Sequence, residues 1–143
     1  MRSAVVLLSG GLDSATCLAW ARREGFSAHA LTVNYGQRHV TEVDHATALA
    51  RSLGAASHRV VALDLSFVKG SALTDRTVDV PKSRSREDIG SGIPTTYVPA
   101  RNTVLLALAL AWSESLGARD LVIGVNQVDF SGYPDCRPAF LRA

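Results

Sequence analysis

Apolar and polar positions alternate in blocks along this chain. Residues 4–8 form an unbroken apolar, β-branched run closed by Ser-Gly-Gly, the pattern of a strand buried on both faces. Residues 13–24 carry good helix formers and stop at Gly25, the expected C′ glycine. The scheme repeats. Residues 28–33 predict a second strand, NYGQRH (34–39) a loop, and the next segment a helix with Val43, Ala46, Ala50 and Leu53 on one face and Gly54 at its end. Residues 59–65 predict a third strand. RNTVLLALALAWSESLG (101–117) predicts a helix apolar nearly all round and hence deeply buried, capped by Asn102 and stopped by Gly117. Residues 120–125 predict a fourth strand, and the last residues enter another helix. Strands alternating with helices predict one α/β domain over 1–143, a Rossmann-like parallel sheet with helices on both faces. Between 69 and 98 neither period holds, and the segment reads as a mobile functional loop, either disordered or a lid ordered by substrate.

Composition narrows the picture. A chain of 143 residues that is 47% hydrophobic can bury a single core. A net charge of +2 gives no general field for nucleic acid or membrane. Cys17 and Cys136 form no CxxC pair, which excludes a disulfide framework and fits a reducing cytoplasm. The N-terminus lacks a signal-peptide pattern, and the longest apolar stretch, 104–112, is far shorter than the ~20 residues a membrane span needs.

The first strand–helix junction carries chemistry. In a doubly wound sheet, ligands bind beyond the carboxyl ends of the strands, where loops lead into helix N-termini. SGGLDS (9–14) occupies that place. Gly10 and Gly11 allow a tight turn and close approach of a ligand, and the first N–H groups of the next helix lack internal partners and favour an anion. Ser9 and Ser14 add hydroxyl donors, so the stretch suits a pyrophosphate. The Asp13 carboxylate would repel that ligand unless it caps the helix or meets a divalent ion, which argues for Mg²⁺. The two lysines, Lys69 and Lys82, lie far downstream, so no Walker lysine follows the glycines.

SGGLDS resembles the PP-loop of the N-type ATP pyrophosphatases, which cleave ATP between its α and β phosphates and activate a substrate oxygen as the adenylate. NYGQRH, YVPARN (97–102) and DFSGYPDCR (129–137), in that order, resemble the 7-cyano-7-deazaguanine synthases within this superfamily, so the resemblance runs over essentially the whole chain. It implies an adenine nucleotide alpha hydrolase-like fold and an ATP-dependent, carbon–nitrogen bond-forming ligase of queuosine biosynthesis. Such an enzyme converts 7-carboxy-7-deazaguanine and ammonia to the nitrile through adenylated intermediates, releasing AMP and pyrophosphate.

The PP-loop and its flanks, Leu8, Ser9, Gly10, Gly11, Leu12, Asp13, Ser14, Ala15, Thr16, Cys17 and Leu18, are the expected nucleotide-binding stretch, although Cys17 also reads as buried packing. Arg101 and Asp13 are the expected catalytic residues, Arg101 pairing with a phosphate or substrate carboxylate through its planar fork; an ion pair with Asp120 or Glu114 is the competing reading. Tyr35, Gln37, Arg38 and Asn102 are expected at the substrate edge, together with Asp129, Ser131, Gly132, Tyr133 and Asp135. Asp129 or Asp135 would accept from the guanine-like N–H edge while Tyr133 stacks on its plane. Cys136 reads as a lining residue without an identifiable base, and His29, His45 and His58 carry no ligand role. No direct nucleic-acid or membrane partner is expected, and homodimerisation is left open. The family continues past PDCRPAFLRA with a four-cysteine Zn²⁺ site whose cysteines are absent here. The expectation is therefore a truncated chain, with an exposed apolar face where the remainder would dock, that still binds ATP but turns over poorly. Two alternatives remain: another PP-loop ligase or tRNA-thiolating enzyme, and a non-catalytic nucleotide-binding remnant.

Overall fold

The computed structural model describes residues 1–36, 41–69, 71, 93, 97–126 and 132–143. Four strands, β1 (Ser3–Leu7), β2 (Ser27–Asn34), β3 (Ser57–Ala62) and β4 (Asp120–Val122), form one sheet in the order β3-β2-β1-β4. Every pairing is parallel, with Leu7 opposite Leu31, Asn34 opposite Ala62 and Val6 opposite Val122. Helices α1 (Leu12–Arg23) and α2 (Thr41–Ser52) follow β1 and β2, α3 (Arg101–Leu116) precedes β4, and a 3₁₀ turn at Pro134–Cys136 leads into α4 (Pro138–Arg142).

The period of two along β1 divides the core. Ala4, Val6 and Leu8 pack with Leu18 and Ala21 of α1 and Ala46 and Ala50 of α2. Val5 and Leu7 pack with Leu31, Val33 and Ala109, so α3 covers the opposite face. Leu18 is completely buried, a position that contributes about 1.5–3 kcal/mol relative to an exposed leucine. The expected helices on both faces of a parallel sheet are therefore present.

Three expectations change. Helix α3 is not deeply buried: only Asn102, Ala109 and Ser113 are, while Ala107, Leu110 and Ala111 face outward and Leu110 is 51% exposed. The sheet touches one side of this helix, and among the described residues nothing covers the other. Asn102 is not the cap of α3; that position is Ala100, in the left-handed region at φ 55, with no side-chain cap of its own. The strand ends also move. β3 stops at Ala62 because its neighbour β2 stops at Asn34, whose carbonyl accepts the Leu63 N–H at 2.8 Å. β4 ends at Val122 rather than 125, and beyond it Gly124 passes over the first turn of α1, where an added Cβ would lie 3.0 Å from the Asp13 carbonyl carbon. Most of the 69–98 segment lies outside the described residues.

Candidate functional site

The chain runs from β1 outward through β2 to β3, then crosses to the other side of β1 for β4. This reversal opens a crevice at the carboxyl ends of β1 and β4, the place where doubly wound sheets bind ligands. A cavity of ≈ 590 Å³ occupies it. Its floor is the Ser9–Ser14 loop; Leu31 and Val33 line it from β2 and Tyr35 from just beyond that strand, Arg101, Asn102 and Leu105 from α3, and residues 123–126 from the segment after β4.

The loop is held from inside. Gly10 sits at φ +94, and a Cβ there would lie 2.5 Å from the Glu42 carbonyl oxygen, so this glycine lets the loop lie on the α2 backbone. Gly11 is the N-cap of α1 in extended conformation (φ −85), and a Cβ added there would meet only Ser9 Oγ, at 3.6 Å. Ser14 is buried; its hydroxyl donates to the Gly11 carbonyl at 2.9 Å and accepts the Ser9 N–H at 3.1 Å. Having one proton, it then accepts from the Ser9 hydroxyl, 3.1 Å away. This corrects the expected role of Ser14: its hydroxyl shapes the loop rather than offering a free donor to a ligand. The first helical bond runs from Ala15 N to the Gly11 carbonyl at 3.1 Å, so the N–H groups of Leu12, Asp13 and Ser14 belong to a turn without intrahelical acceptors. No side chain caps α1, which leaves Asp13 exposed at the cavity rather than capping the helix. The Leu8 carbonyl, at the loop's entry, accepts from Thr32 Oγ1 at 2.7 Å, and Thr32 in turn contacts His58 Nε2 at 2.8 Å.

The rest of the expected stretch does not line the cavity. Leu18 belongs to the core and Cys17 packs against it, its thiol pKa raised by burial and then by Asp13. The Thr16 hydroxyl donates to the Leu12 carbonyl at 2.9 Å, and Ala15 is half-buried beside it.

Arg101 reaches the cavity from the first residue of α3 and donates from Nη1 to the Tyr35 hydroxyl at 3.2 Å. Burial opposes its charge, but Tyr35, Asp135 and Tyr133 outweigh that penalty and hold its pKa above the usual arginine value. The alternative ion pairs do not form: Asp120 binds Arg2 at 2.9 Å, and Glu114 is exposed in the last turn of α3. Tyr133 is buried, 5.8 Å from the Tyr97 ring, with the Arg101 guanidinium 6.0 Å from its centroid. It therefore supports Arg101 from behind rather than presenting a face to the cavity, and Gly132 likewise does not line it. Asp135 is buried too, its Oδ2 accepting the Asn102 N–H at 2.9 Å. Burial, then Asp135, raises the Cys136 thiol pKa, so this lining residue stays a thiol at neutral pH. Gln37, Arg38, Asp129 and Ser131 lie outside the described residues.

Sequence reasoning missed Glu42 and His45, which face the cavity one turn apart on α2, and Gly124, whose bare backbone lets the post-β4 segment meet the loop. The signal for Gly124 was a glycine immediately after an apolar strand.

Comparison with known proteins bears on the family and the fold. The family model described as "Queuosine biosynthesis protein QueC" matches residues 3–143. A 7-cyano-7-deazaguanine synthase from Anaeromyxobacter sp. (strain Fw109-5) is 68% identical over 142 residues, covering 99% of this chain and 61% of the relative. One from Thiobacillus denitrificans is 63% identical over 140 residues, covering 98% and 60%. The chain thus spans about three fifths of the length of these relatives. Among solved structures, a protein described as a predicted subunit of tRNA methyltransferase from Methanocaldococcus jannaschii matches with TM-score 0.56 and 26% identity over 90% of this chain and 55% of its own. The NH3-dependent NAD synthetase from Campylobacter jejuni shares the fold at TM-score 0.53 and 16% identity, over 87% of this chain and 48% of its own. With the loop, the crevice and a family match along nearly its whole length, this chain belongs to the QueC family of queuosine biosynthesis proteins.

Proposed function

We propose that the cavity binds ATP and that the chain is the nucleotide-binding part of an enzyme making 7-cyano-7-deazaguanine from 7-carboxy-7-deazaguanine and ammonia. The observation that carries this reading is the Ser9–Ser14 loop, which lines the cavity together with Arg101 and whose Leu12, Asp13 and Ser14 N–H groups have no intrahelical acceptor. Leu31, Val33, Leu105 and Ile123 form an apolar wall suited to a purine ring, while the first turn of α1 suits the outer phosphates.

In the reaction, the substrate carboxylate attacks the α-phosphorus of ATP and pyrophosphate leaves from the loop. Ammonia then displaces AMP to give the amide. A second ATP adenylates the amide oxygen, and loss of AMP with a proton leaves the nitrile. The protein's part is positioning and charge stabilisation: loop amides hold the leaving pyrophosphate, and the Arg101 fork neutralises charge near the reacting carboxylate or phosphate. Asp13, exposed at the cavity and not used as a cap, would hold Mg²⁺ together with phosphate oxygens, the usual mode for that ion. Mg²⁺ bound there supplies additional phosphate neutralisation. A four-cysteine Zn²⁺ site does not fit the residues present, since Cys17 packs in the α1 core and Cys136 against Asn102. Both cysteines are free, which supports a reducing cytoplasm as the setting.

The test is pyrophosphate release from ATP with and without 7-carboxy-7-deazaguanine. Stimulation by that compound supports the proposal. Release that ignores it points to another PP-loop ligase, and ATP-dependent stabilisation without any release points to a binding module.

A further inference from the structure

The Asp135 carboxylate is spent inside the protein. It is 4% exposed, and Oδ2 accepts the main-chain N–H of Asn102 at 2.9 Å. The Asn102 side chain answers by donating from Nδ2 to the Asp135 carbonyl at 2.8 Å and to Cys136 Sγ at 3.6 Å. Two residues 33 positions apart thus form a reciprocal clasp between the Pro134–Cys136 turn and the first turn of α3. Helix α3 needs it. Its own cap, Ala100, is left-handed and offers no side-chain acceptor, so without Asp135 the first turn would end on an unsatisfied buried N–H. The residue beside the clasp is Arg101, whose guanidinium enters the cavity toward Tyr35.

We propose that Asp135 is a positioning residue that fixes Arg101 in the nucleotide cavity by clasping the first turn of α3, and that it does not read the substrate base. Three observations support this over base recognition. Asp135 does not line the cavity, whereas its partners Asn102 and Arg101 do. One carboxylate oxygen is already committed to the helix end, so a bidentate grip on a base edge is unavailable. The other, Oδ1, is buried and has no hydrogen-bond partner among the described residues, which places a desolvated negative charge behind Arg101, where it favours the guanidinium. The inference rests on the nucleotide reading of the cavity.

The experiment combines Asp135→Asn, Asp135→Ala, Arg101→Ala and the Asp135→Ala/Arg101→Ala pair, with ATP affinity by calorimetry and Asn102 amide exchange by NMR. Asparagine keeps an oxygen for the Asn102 N–H. Asp135→Asn should therefore keep that amide protected and hold ATP affinity within a few-fold, whereas Asp135→Ala should deprotect it and weaken ATP about tenfold. In the Arg101→Ala background, Asp135→Ala should add nothing further to the loss of ATP affinity. Independent, multiplicative losses would overturn the proposal, as would lost 7-carboxy-7-deazaguanine binding in Asp135→Asn with Asn102 still protected. If Asp135→Ala does not fold, the asparagine variant alone decides, because a base-reading carboxylate cannot be replaced by an amide. Failure of the unmodified chain to bind ATP would overturn the nucleotide reading instead, and amide exchange would still show whether Asp135 holds the helix end.

Discussion

Gly10 and Gly11 are adjacent, yet their replacement by alanine should have opposite consequences. At Gly10 the added methyl would stand 2.5 Å from the Glu42 carbonyl oxygen and 3.2 Å from the Ala46 nitrogen, both backbone atoms of α2, with φ at +94. Relief requires moving the loop or the helix by roughly 0.9 Å to reach ordinary contact, which costs about 1–3 kcal/mol as overpacking. The backbone conformation adds roughly 1–2 kcal/mol for a side chain at positive φ. Together these amount to about 2–5 kcal/mol, a fall in Tm on the order of 10 °C for a domain of this size. At Gly11 the backbone is extended and the methyl would meet only Ser9 Oγ at 3.6 Å, an ordinary contact. Stability should therefore change by less than about 1 kcal/mol, but the methyl would stand on the cavity floor. ATP affinity should fall at least about tenfold, the equivalent of 1.4 kcal/mol. Thermal unfolding and ATP calorimetry on both variants read the two effects separately. A Gly10→Ala variant as stable as the parent, or a Gly11→Ala variant that binds ATP normally, would refute this account of the loop.

Three further outcomes follow from the geometry. Gly124→Ala would bring a methyl to 3.0 Å from the Asp13 carbonyl carbon and 3.1 Å from the Ser14 nitrogen, displacing the first turn of α1, so ATP affinity should drop together with a Tm loss matching about 1–3 kcal/mol. Thr32→Val removes the hydroxyl that serves both the Leu8 carbonyl and His58 Nε2, and chemical denaturation should show about 1–3 kcal/mol of destabilisation for the polar groups left unpaired. Burial lowers the His58 pKa below its usual 6.5, so the unfolded chain binds its proton more readily than the folded one. The neutral ring's contribution is complete above pH 6.5 and is lost as pH falls below it; Tm measured from pH 7.5 to 5.5 should decline more steeply in the parent than in His58→Gln.

The apolar run of β1 is legible because a strand buried on both faces carries no polar interruption, and the Gly stops at 25, 54 and 117 all fall in the left-handed region at helix ends. SGGLDS lines the cavity, and its place after β1 follows from local pattern alone. What the sequence could not reveal was non-local. Asn102 looks like a cap by position, but the turn through Val98, whose carbonyl accepts the Arg101 N–H at 3.1 Å, puts the cap position two residues earlier, at Ala100, and leaves the Asn102 N–H to Asp135. Asp135 and Tyr133 have the chemistry of a base-binding pair, and only folding shows them packed behind Arg101. The apolar circumference of α3 signalled burial, yet the sheet reaches only the side carrying Ala109, and Leu110 remains exposed. Glu42 and His45 escaped notice because their approach to the cavity depends on Gly10 lying against the α2 backbone, a contact no periodicity encodes.

The central claim, that main-chain amides at the start of α1 grip the outer phosphates of ATP, is tested most directly by following backbone amide NMR shifts of residues 10–14 during titration with ATP, pyrophosphate and adenosine. The account predicts saturable shifts at Gly11, Leu12, Asp13 and Ser14 with ATP and with pyrophosphate, and no shifts there with adenosine. Unmoved loop amides at saturating ATP, or equal shifts with adenosine, would contradict it.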